Sequence, residues 1–276
     1  MLLTRIKEKV AIILRFLRFS SRAKSIDLID SPLLFDLCKI LRDKYIDPTE
    51  QSTIENRRTE LINDRSIIQR QSLGAVSKMN PHEKISISQL AQSSVSPRYK
   101  CELLTGLVKW TRARRVLELG TSLAISSSYM ATIDDVVTID TVEGSSSIGT
   151  INAQVTLNSK ITCHIDSFTS FITHQKERHT KYDCILLDGH HQYESTIEYV
   201  DECMDLLNPG GYLILDDIYW SSGMMDAWQV IKCRSDYNLS IDVFFYGILS
   251  KQTILKEAID IKLWPFRSRW QVGLFR

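Results

Sequence analysis

Residues Tyr182 to Tyr219 read YDCILLDGHHQYESTIEYVDECMDLLNPGGYLILDDIY, and the succession of patterns in this stretch decides the fold. Cys184 to Leu187 and Tyr212 to Leu215 are apolar runs of buried-strand length, each ending in aspartate: Asp188 after the first, Asp216 and Asp217 after the second. Between them, Glu194 to Leu207 places Ile197, Val200, Cys203, Met204 and Leu207 at helical spacing, and Asn208-Pro209-Gly210-Gly211 is expected to stop that helix. A strand, helix, strand crossover makes two parallel neighbours of one right-handed unit. Their carboxyl ends lie side by side, so three carboxylates with His190 and His191 gather at the edge where open α/β sheets place ligands.

Upstream, a helix from Tyr99 to Trp110 leads into Val116-Leu117-Glu118-Leu119-Gly120, a strand ending in an acid and a glycine, and Thr121 to Ala131 suits the next helix. Such a turn lets a nucleotide-like cofactor approach the backbone closely. Val136 to Gly144 reads as a second strand, whose terminal Glu143, with Asp140 in reserve, is placed to accept both hydroxyls of a ribose. A third strand, Ile161 to Ile165, ends at Asp166-Ser167-Phe168, a polar residue and an aromatic suited to the edge and face of an adenine. Downstream, a helix contains Met224, Ala227, Trp228 and Ile231. Leu239 to Phe245 and Gly247 to Leu249 then read as a closing hairpin around Tyr246-Gly247. The fold class expected is α/β, Rossmann-like.

Residues 1–98 carry helical patterns: Leu33, Leu34, Leu37, Ile40 and Leu41 after Asp30-Ser31-Pro32, a charged helix over Ile54 to Ile68, a break at Ser72 to Ser77, and a short helix from Ile85. They read as a helical cap or dimerisation region before a Rossmann-like domain over 99–276, with a homo-oligomer expected. Residues 1–24 hold seven basic side chains (Arg5, Lys7, Lys9, Arg15, Arg18, Arg22, Lys24) against Glu8 alone, interleaved with apolar positions. A helix of this kind packs on its own domain or a partner, or lies on an anionic membrane face as a peripheral contact. The tail Leu263 to Trp270, aromatic and basic, suits a substrate lip, a subunit contact or a membrane-facing edge.

A chain of 276 residues, 43% hydrophobic and 24% charged, has ample material for a core. The net charge of +1 argues against bulk nucleic-acid binding. Six cysteines without paired spacing fit a reducing compartment and no zinc site, and no apolar run reaches membrane-spanning length; a cytoplasmic protein is expected.

Glu118-Leu119-Gly120-Thr121-Ser122, Glu143-Gly144 and Asn208-Pro209-Gly210-Gly211-Tyr212 carry a resemblance, over about Leu103 to Leu249, to the class I S-adenosylmethionine-dependent methyltransferases. Asp188-Gly189-His190-His191-Gln192-Tyr193-Glu194 together with Asp216-Asp217 is most similar to the bacterial macrocin O-methyltransferase type, which acts on sugars. The resemblance implies a mostly parallel, seven-stranded sheet with a helical N-terminal extension. It also implies S-adenosylmethionine held by Glu118, Gly120, Thr121, Ser122, Glu143, Asp166, Ser167, Phe168 and Asp188. Asp188, Asp216 and Asp217 would hold a divalent metal, expected to be magnesium. Where the sugar enzymes place a general base acid, this chain has His190, with His191 as a rival, and Ser122 and Ala124 stand where glycines are usual.

Methyl transfer to a hydroxyl needs in-line positioning and loss of the hydroxyl proton. A metal on the three acids would lower the hydroxyl pKa, and a histidine with an ordinary pKa of about 6.5 would take the proton near neutrality. The expected function is therefore metal-assisted O-methylation of a sugar or other polyhydroxylated small molecule. The alternative is a methyltransferase-like scaffold with weak or no cofactor binding, acting through its helical amino-terminal region.

Overall fold

The computed structural model describes residues 2–29, 31–43, 45–69, 84–155, 158–253 and 255–265. Helix α1 (Leu2–Arg22) opens the chain and runs into a two-residue strand, β1 (Lys24–Ser25). Prolines at the first helical position, where a missing N–H costs nothing, start α2 (Pro32–Arg42) and α3 (Pro48–Asn63). Asp47 caps α3 by accepting from the amides of Thr49 and Glu50. An antiparallel ribbon of β2 (Ile67–Gln69) and β3 (Lys84–Ser86) precedes α4 (Ile87–Ser94), which starts at a Ser86–Gln89 capping box. Helix α5 (Arg98–Thr111) then turns Cys101, Leu103, Leu104, Leu107 and Val108 inward.

From here strands and helices alternate: β4 (Arg115–Leu119), α6 (Ile125–Ala131), β5 (Thr138–Glu143), α7 (Ser146–Val155), β6 (Ile161–Ile165), α8 (Phe168–Glu177), β7 (Tyr182–Leu187), α9 (Tyr193–Met204), β8 (Leu207–Asp216) and α10 (Ser222–Lys232). Strands β9 (Leu239–Asp242), β10 (Tyr246–Ser250) and β11 (Ile259–Trp264) follow α10. Among the described residues the main sheet has nine strands, in the order β1-β11-β9-β10-β8-β7-β4-β5-β6. Strands β6, β5, β4, β7 and β8 are mutually parallel, and β10 runs antiparallel to β8. This is the Rossmann-like α/β class. The chain moves outward from β4 to β6 and then returns to β7 on the other side of β4, so a crevice opens at the carboxyl ends of β4 and β7. Val116, Leu117, Cys184, Ile185, Leu213 and Ile214 are wholly buried, as central strands covered on both faces require.

The sheet is wider than the seven strands expected, because β11 joins β9 in parallel and β1 joins β11. The first third of the chain is accordingly not purely helical. Phe16, Phe19, Ile26, Leu34 and Leu37 share one hydrophobic core with the central strands. The helix expected to Ile68 ends at Asn63, and Ile85 lies in β3 rather than in a helix. Asn208-Pro209-Gly210-Gly211 does not terminate a long helix: α9 ends at Met204, and these residues open β8. The reason is a side-chain anchor, since Asn208 donates to Asp183, whose other carboxylate oxygen takes the amides of Arg114 and Arg115 beside β4. The hairpin turns at Val243 to Phe245, where Asp242 accepts from the Phe244 amide. Gly247 sits within β10 because the Trp228 ring occupies the space a Cβ would need. Asp30, the break at Ser72 to Ser77 and the tail beyond Pro265 lie outside the described residues.

Candidate active site

A cavity of about 780 Å³ lies at the carboxyl ends of β4, β5, β7 and β8. Gly120, at the end of β4, has φ +118°, and a Cβ there would stand 1.8 Å from the carbonyl oxygen of Asp188, so only glycine fits between the two strands. Ser122 (φ 46°) and Ala124 (φ 58°) adopt the left-handed backbone without being glycine. Each such residue costs roughly 1–2 kcal/mol, offset by bonds that hold the loop. The Ser122 amide donates to Glu143 Oε2 at 2.9 Å and Asn152 Nδ2 donates to the Ser122 carbonyl at 2.6 Å. The Ser145 amide donates to Glu143 Oε1 at 2.9 Å, so two backbone N–H groups fix the Glu143 carboxylate at the cavity wall. Ser167, which caps α8, and Phe168 complete this side, and the Ser94–Ser122 hydroxyl contact of 2.7 Å brings α4 over it.

Three residues expected at the cofactor do not line the cavity. Glu118 is wholly buried among α6 and β5 hydroxyls, accepting from Ser126 and Thr141 at 2.6 Å and from Ser127. Burial pushes its carboxyl up. Thr121 is spent on Thr141 at 2.6 Å, and Asp166 accepts from the Ser167 amide and the Ser170 hydroxyl. Asp140, the reserve for the ribose, is taken by His164 at 2.8 Å and Tyr182 at 3.0 Å. These side chains are consumed by the helices and strands packed over them, whereas Glu143 stands where β5 ends.

Asp188, His190, His191, Asp216 and Asp217 do converge on the cavity, but with a partner that sequence reasoning missed. The buried ammonium of Lys100, on α5, donates to Asp216 Oδ2 at 2.7 Å and to Asp217 Oδ1 at 2.8 Å. Burial opposes its charge, but Asp216, Asp217 and Asp188 outweigh burial and hold the lysine well above its ordinary value. Asp217 is subject to the same burial, yet Lys100 and His191 draw it below the usual carboxylate range. Asp216 is raised by burial and by Asp188, and burial pushes Asp188 up to about 6 with Lys100 pulling against it. A signal for Lys100 was present, since Lys100, Leu103, Leu104 and Leu107 follow the i, i+3, i+4, i+7 spacing of one buried face.

Of the three aspartates expected at a metal, Asp188 and Asp216 have ligand atoms close together, while Lys100 bonds one oxygen of Asp216 and one of Asp217. Asp217, turned by a φ of 53°, is engaged by Lys100, and the group whose ligand atoms approach within 4.8 Å of one another is Asp188, His191 and Asp216. Asp216 Oδ1 is buried without a hydrogen-bond donor among the described residues, and His191 Nε2 lies 3.6 Å from Asp188 Oδ1. That donor set fits a divalent cation. His190 (φ 51°) stands apart from it, its ring 5.5 Å from Phe168 and 5.7 Å from Tyr199. Burial, and then His191, lower the His190 pKa and favour the neutral imidazole. Tyr219 donates to Asp242 at 2.7 Å and stacks on Phe244, whereas Trp220 is exposed at the cavity rim.

Residues 117–218, spanning β4 to the end of β8, match the family model described as a methyltransferase domain. That segment is similar to a methyltransferase domain, and the fold around it is found in solved methyltransferases. The fold is shared with an O-methyltransferase from Bacillus cereus in complex with SAH, at 13% identity and a TM-score of 0.52 over 77% of this chain and 96% of that one. It is also shared with an SAH-bound methyltransferase from Podospora anserina, at 12% identity and a TM-score of 0.54 over 82% of this chain and 98% of that one. At these identities the likeness is one of fold. No curated protein sequence matches the chain. The matched segment contains Gly120, Glu143, Asp188, His190, His191, Asp216 and Asp217; Lys100 lies outside it.

Proposed function

We propose that the protein is an S-adenosylmethionine-dependent O-methyltransferase acting on a hydroxyl of a sugar or another small polyhydroxylated acceptor, with divalent-metal assistance. One observation carries this reading: a single cavity holds both the Glu143-anchored loop around Gly120 and the cluster of Asp188, His190, His191 and Asp216. The two SAH-bound structures of the same fold support the choice of cofactor. The similarity of Asp188-Gly189-His190-His191 and Asp216-Asp217 to the macrocin type supports a sugar acceptor, as do Ser93, Ser96 and Gln192 in the cavity wall.

When bound, S-adenosylmethionine supplies an electrophilic methyl group on a sulfonium. Glu143 would hold the ribose hydroxyls, Ser167 and Phe168 the adenine, and Gly120 leaves backbone room for the amino-acid end. Asp188, His191 and Asp216 would hold a divalent cation, which when bound lowers the pKa of an acceptor hydroxyl. Two carboxylates and an imidazole suit manganese or another first-row ion better than magnesium, which prefers oxygen donors. His190 would accept the proton that the acceptor hydroxyl gives up, and the methyl donor, when bound, would supply the methyl group and a thioether sulfur that keeps the electron pair. Lys100 and Asp217 keep Asp216 oriented.

The test is calorimetry with S-adenosylmethionine, followed by a methyl-transfer assay on a panel of sugars with manganese present. Saturable binding and a methylated sugar are expected. No detectable binding at millimolar cofactor would leave the chain a methyltransferase-like scaffold.

A further inference from the structure

Helix α1 has two apolar faces, and the body of the protein uses one. Phe16 and Phe19 pack on Phe244, Tyr219 and Trp264, and Ile12 lines the cavity. The Arg15 guanidinium locks the helix in place by donating to the carbonyls of Tyr219 at 3.0 Å and Trp220 at 2.8 Å. On the outer side, Val10, Leu14 and Leu17, spaced i, i+4, i+7, form a stripe exposed at 48%, 52% and 57%. Trp220, exposed at 57%, belongs both to the segment that Arg15 holds and to the cavity rim. Arg18 and Arg22 are exposed beside the stripe. In sequence, Leu2–Arg22 carries Arg5, Lys7, Lys9, Arg15, Arg18 and Arg22 against Glu8, in a chain whose net charge is only +1. The helix that presents this stripe, exposed among the described residues, is thus itself strongly basic.

We propose that α1 docks the protein on an anionic lipid surface, with Val10, Leu14, Leu17 and Trp220 entering the interface and the arginines meeting lipid phosphates. An apolar stripe flanked by basic residues, on a helix of modest mean hydropathy, is the pattern of interfacial helices. No helix among the described residues is long and apolar enough to cross a membrane, so the contact is peripheral. Charge selects lipid over a second copy of the chain. Pairing two α1 helices through the stripe would set arginine flank against arginine flank, whereas an anionic leaflet supplies the opposite sign. Because Ile12 of α1 and Trp220 both line the cavity, docking in this orientation sets the cavity beside the lipid surface. The docking stands on α1 and Trp220 and does not depend on the reaction assigned to the cavity.

The experiment is flotation of the full chain with phosphatidylcholine vesicles, with and without about one-third phosphatidylglycerol, at low and high salt. The wild type is expected to float with the anionic vesicles roughly ten-fold more than with neutral ones, and salt should weaken the binding. Leu14→Ser with Leu17→Ser should lose flotation while keeping the wild-type melting temperature, because both positions are exposed. Arg18→Glu with Arg22→Glu should lose the preference for anionic vesicles. Wild-type protein that stays in solution with anionic vesicles overturns the proposal, as does a Leu14→Ser, Leu17→Ser variant that still floats. Light scattering supplies the remaining outcome: a dimeric wild type made monomeric by the two serines would show that a second copy covers the stripe, and would also overturn it.

Discussion

Lys100 answers two aspartates with one ammonium, and that changes what substitutions in the cluster report. Removing it by Lys100→Met leaves Asp216 buried and Asp217 half-buried without the lysine's charge, and breaking a buried pair such as Lys100–Asp216 costs about 3–5 kcal/mol. Urea unfolding reads that loss. Adding Asp217→Asn should return part of it, because the pair is coupled, and equal stability of the single and double variants would show that the contact carries no energy. Asp217→Ala, which a three-aspartate metal site would make the natural probe, therefore tests the lysine pair instead, and Asp188→Asn is the cleaner metal variant. His190 sits outside the ligand group, so His190→Ala should lower kcat by about 10²–10⁴-fold with cofactor affinity unchanged; a parallel rise in Kd would move it from proton acceptor to binding residue. Of these residues, Glu143, Asp188, Asp216 and His190 were readable because each follows an apolar run that announces a strand end. For Lys100 the helical spacing places it on the buried face of α5 but does not name its partners, which lie 116 and 117 positions away with no local pattern linking α5 to β8.

At the scale of elements, the polar network binding β5, β6 and β7 offers a pH-dependent test. Burial works to raise the Asp140 carboxyl, but hydrogen bonds from His164 and Tyr182, with the charges of His164 and Arg115, hold it below the ordinary 3.8. A carboxylate lowered in the folded state stabilises above its unfolded value, and that contribution disappears as pH falls through the folded value. Asp140→Asn should therefore cost about 1–3 kcal/mol at neutral pH, and thermal unfolding across a pH series should show the gap from wild type closing below pH 3.8. A constant gap would assign the loss to packing. The elements themselves were largely visible, because period-two and period-3.6 patterns alternate from Arg115 onward. The errors fell where a distant side chain overrides local chemistry: Asp183 draws Asn208 to Gly211 into β8, and the Trp228 ring fills the space a Cβ at position 247 would need, so a glycine sits inside β10.

For the whole molecule, cofactor and metal should separate. S-adenosylmethionine at a hundred times its Kd should stabilise the folded state by about 2.7 kcal/mol, read as a rise in melting temperature, and a chelator should leave that rise intact because Glu143 and the Gly120 loop hold no metal. Methyl transfer should fall with the chelator and return with manganese; full activity in excess chelator would remove the metal from the proposal. The sequence by itself determined the α/β alternation, the parallel core, the glycine turn at Gly120 and the acids at the strand ends, because these follow from periodicity and from steric limits acting over a few residues. Only the tertiary structure decided that Glu118, Thr121 and Asp166 turn away from the cavity and that β1 and α1 join the main sheet and its core. It alone placed Lys100 against Asp216 and Asp217 and left Asp188, His191 and Asp216 as the metal-fitting group. The physical reason is that a side chain's charge and hydrogen bonds are settled by whichever groups the fold brings within a few ångströms, and those groups come from any distance along the chain.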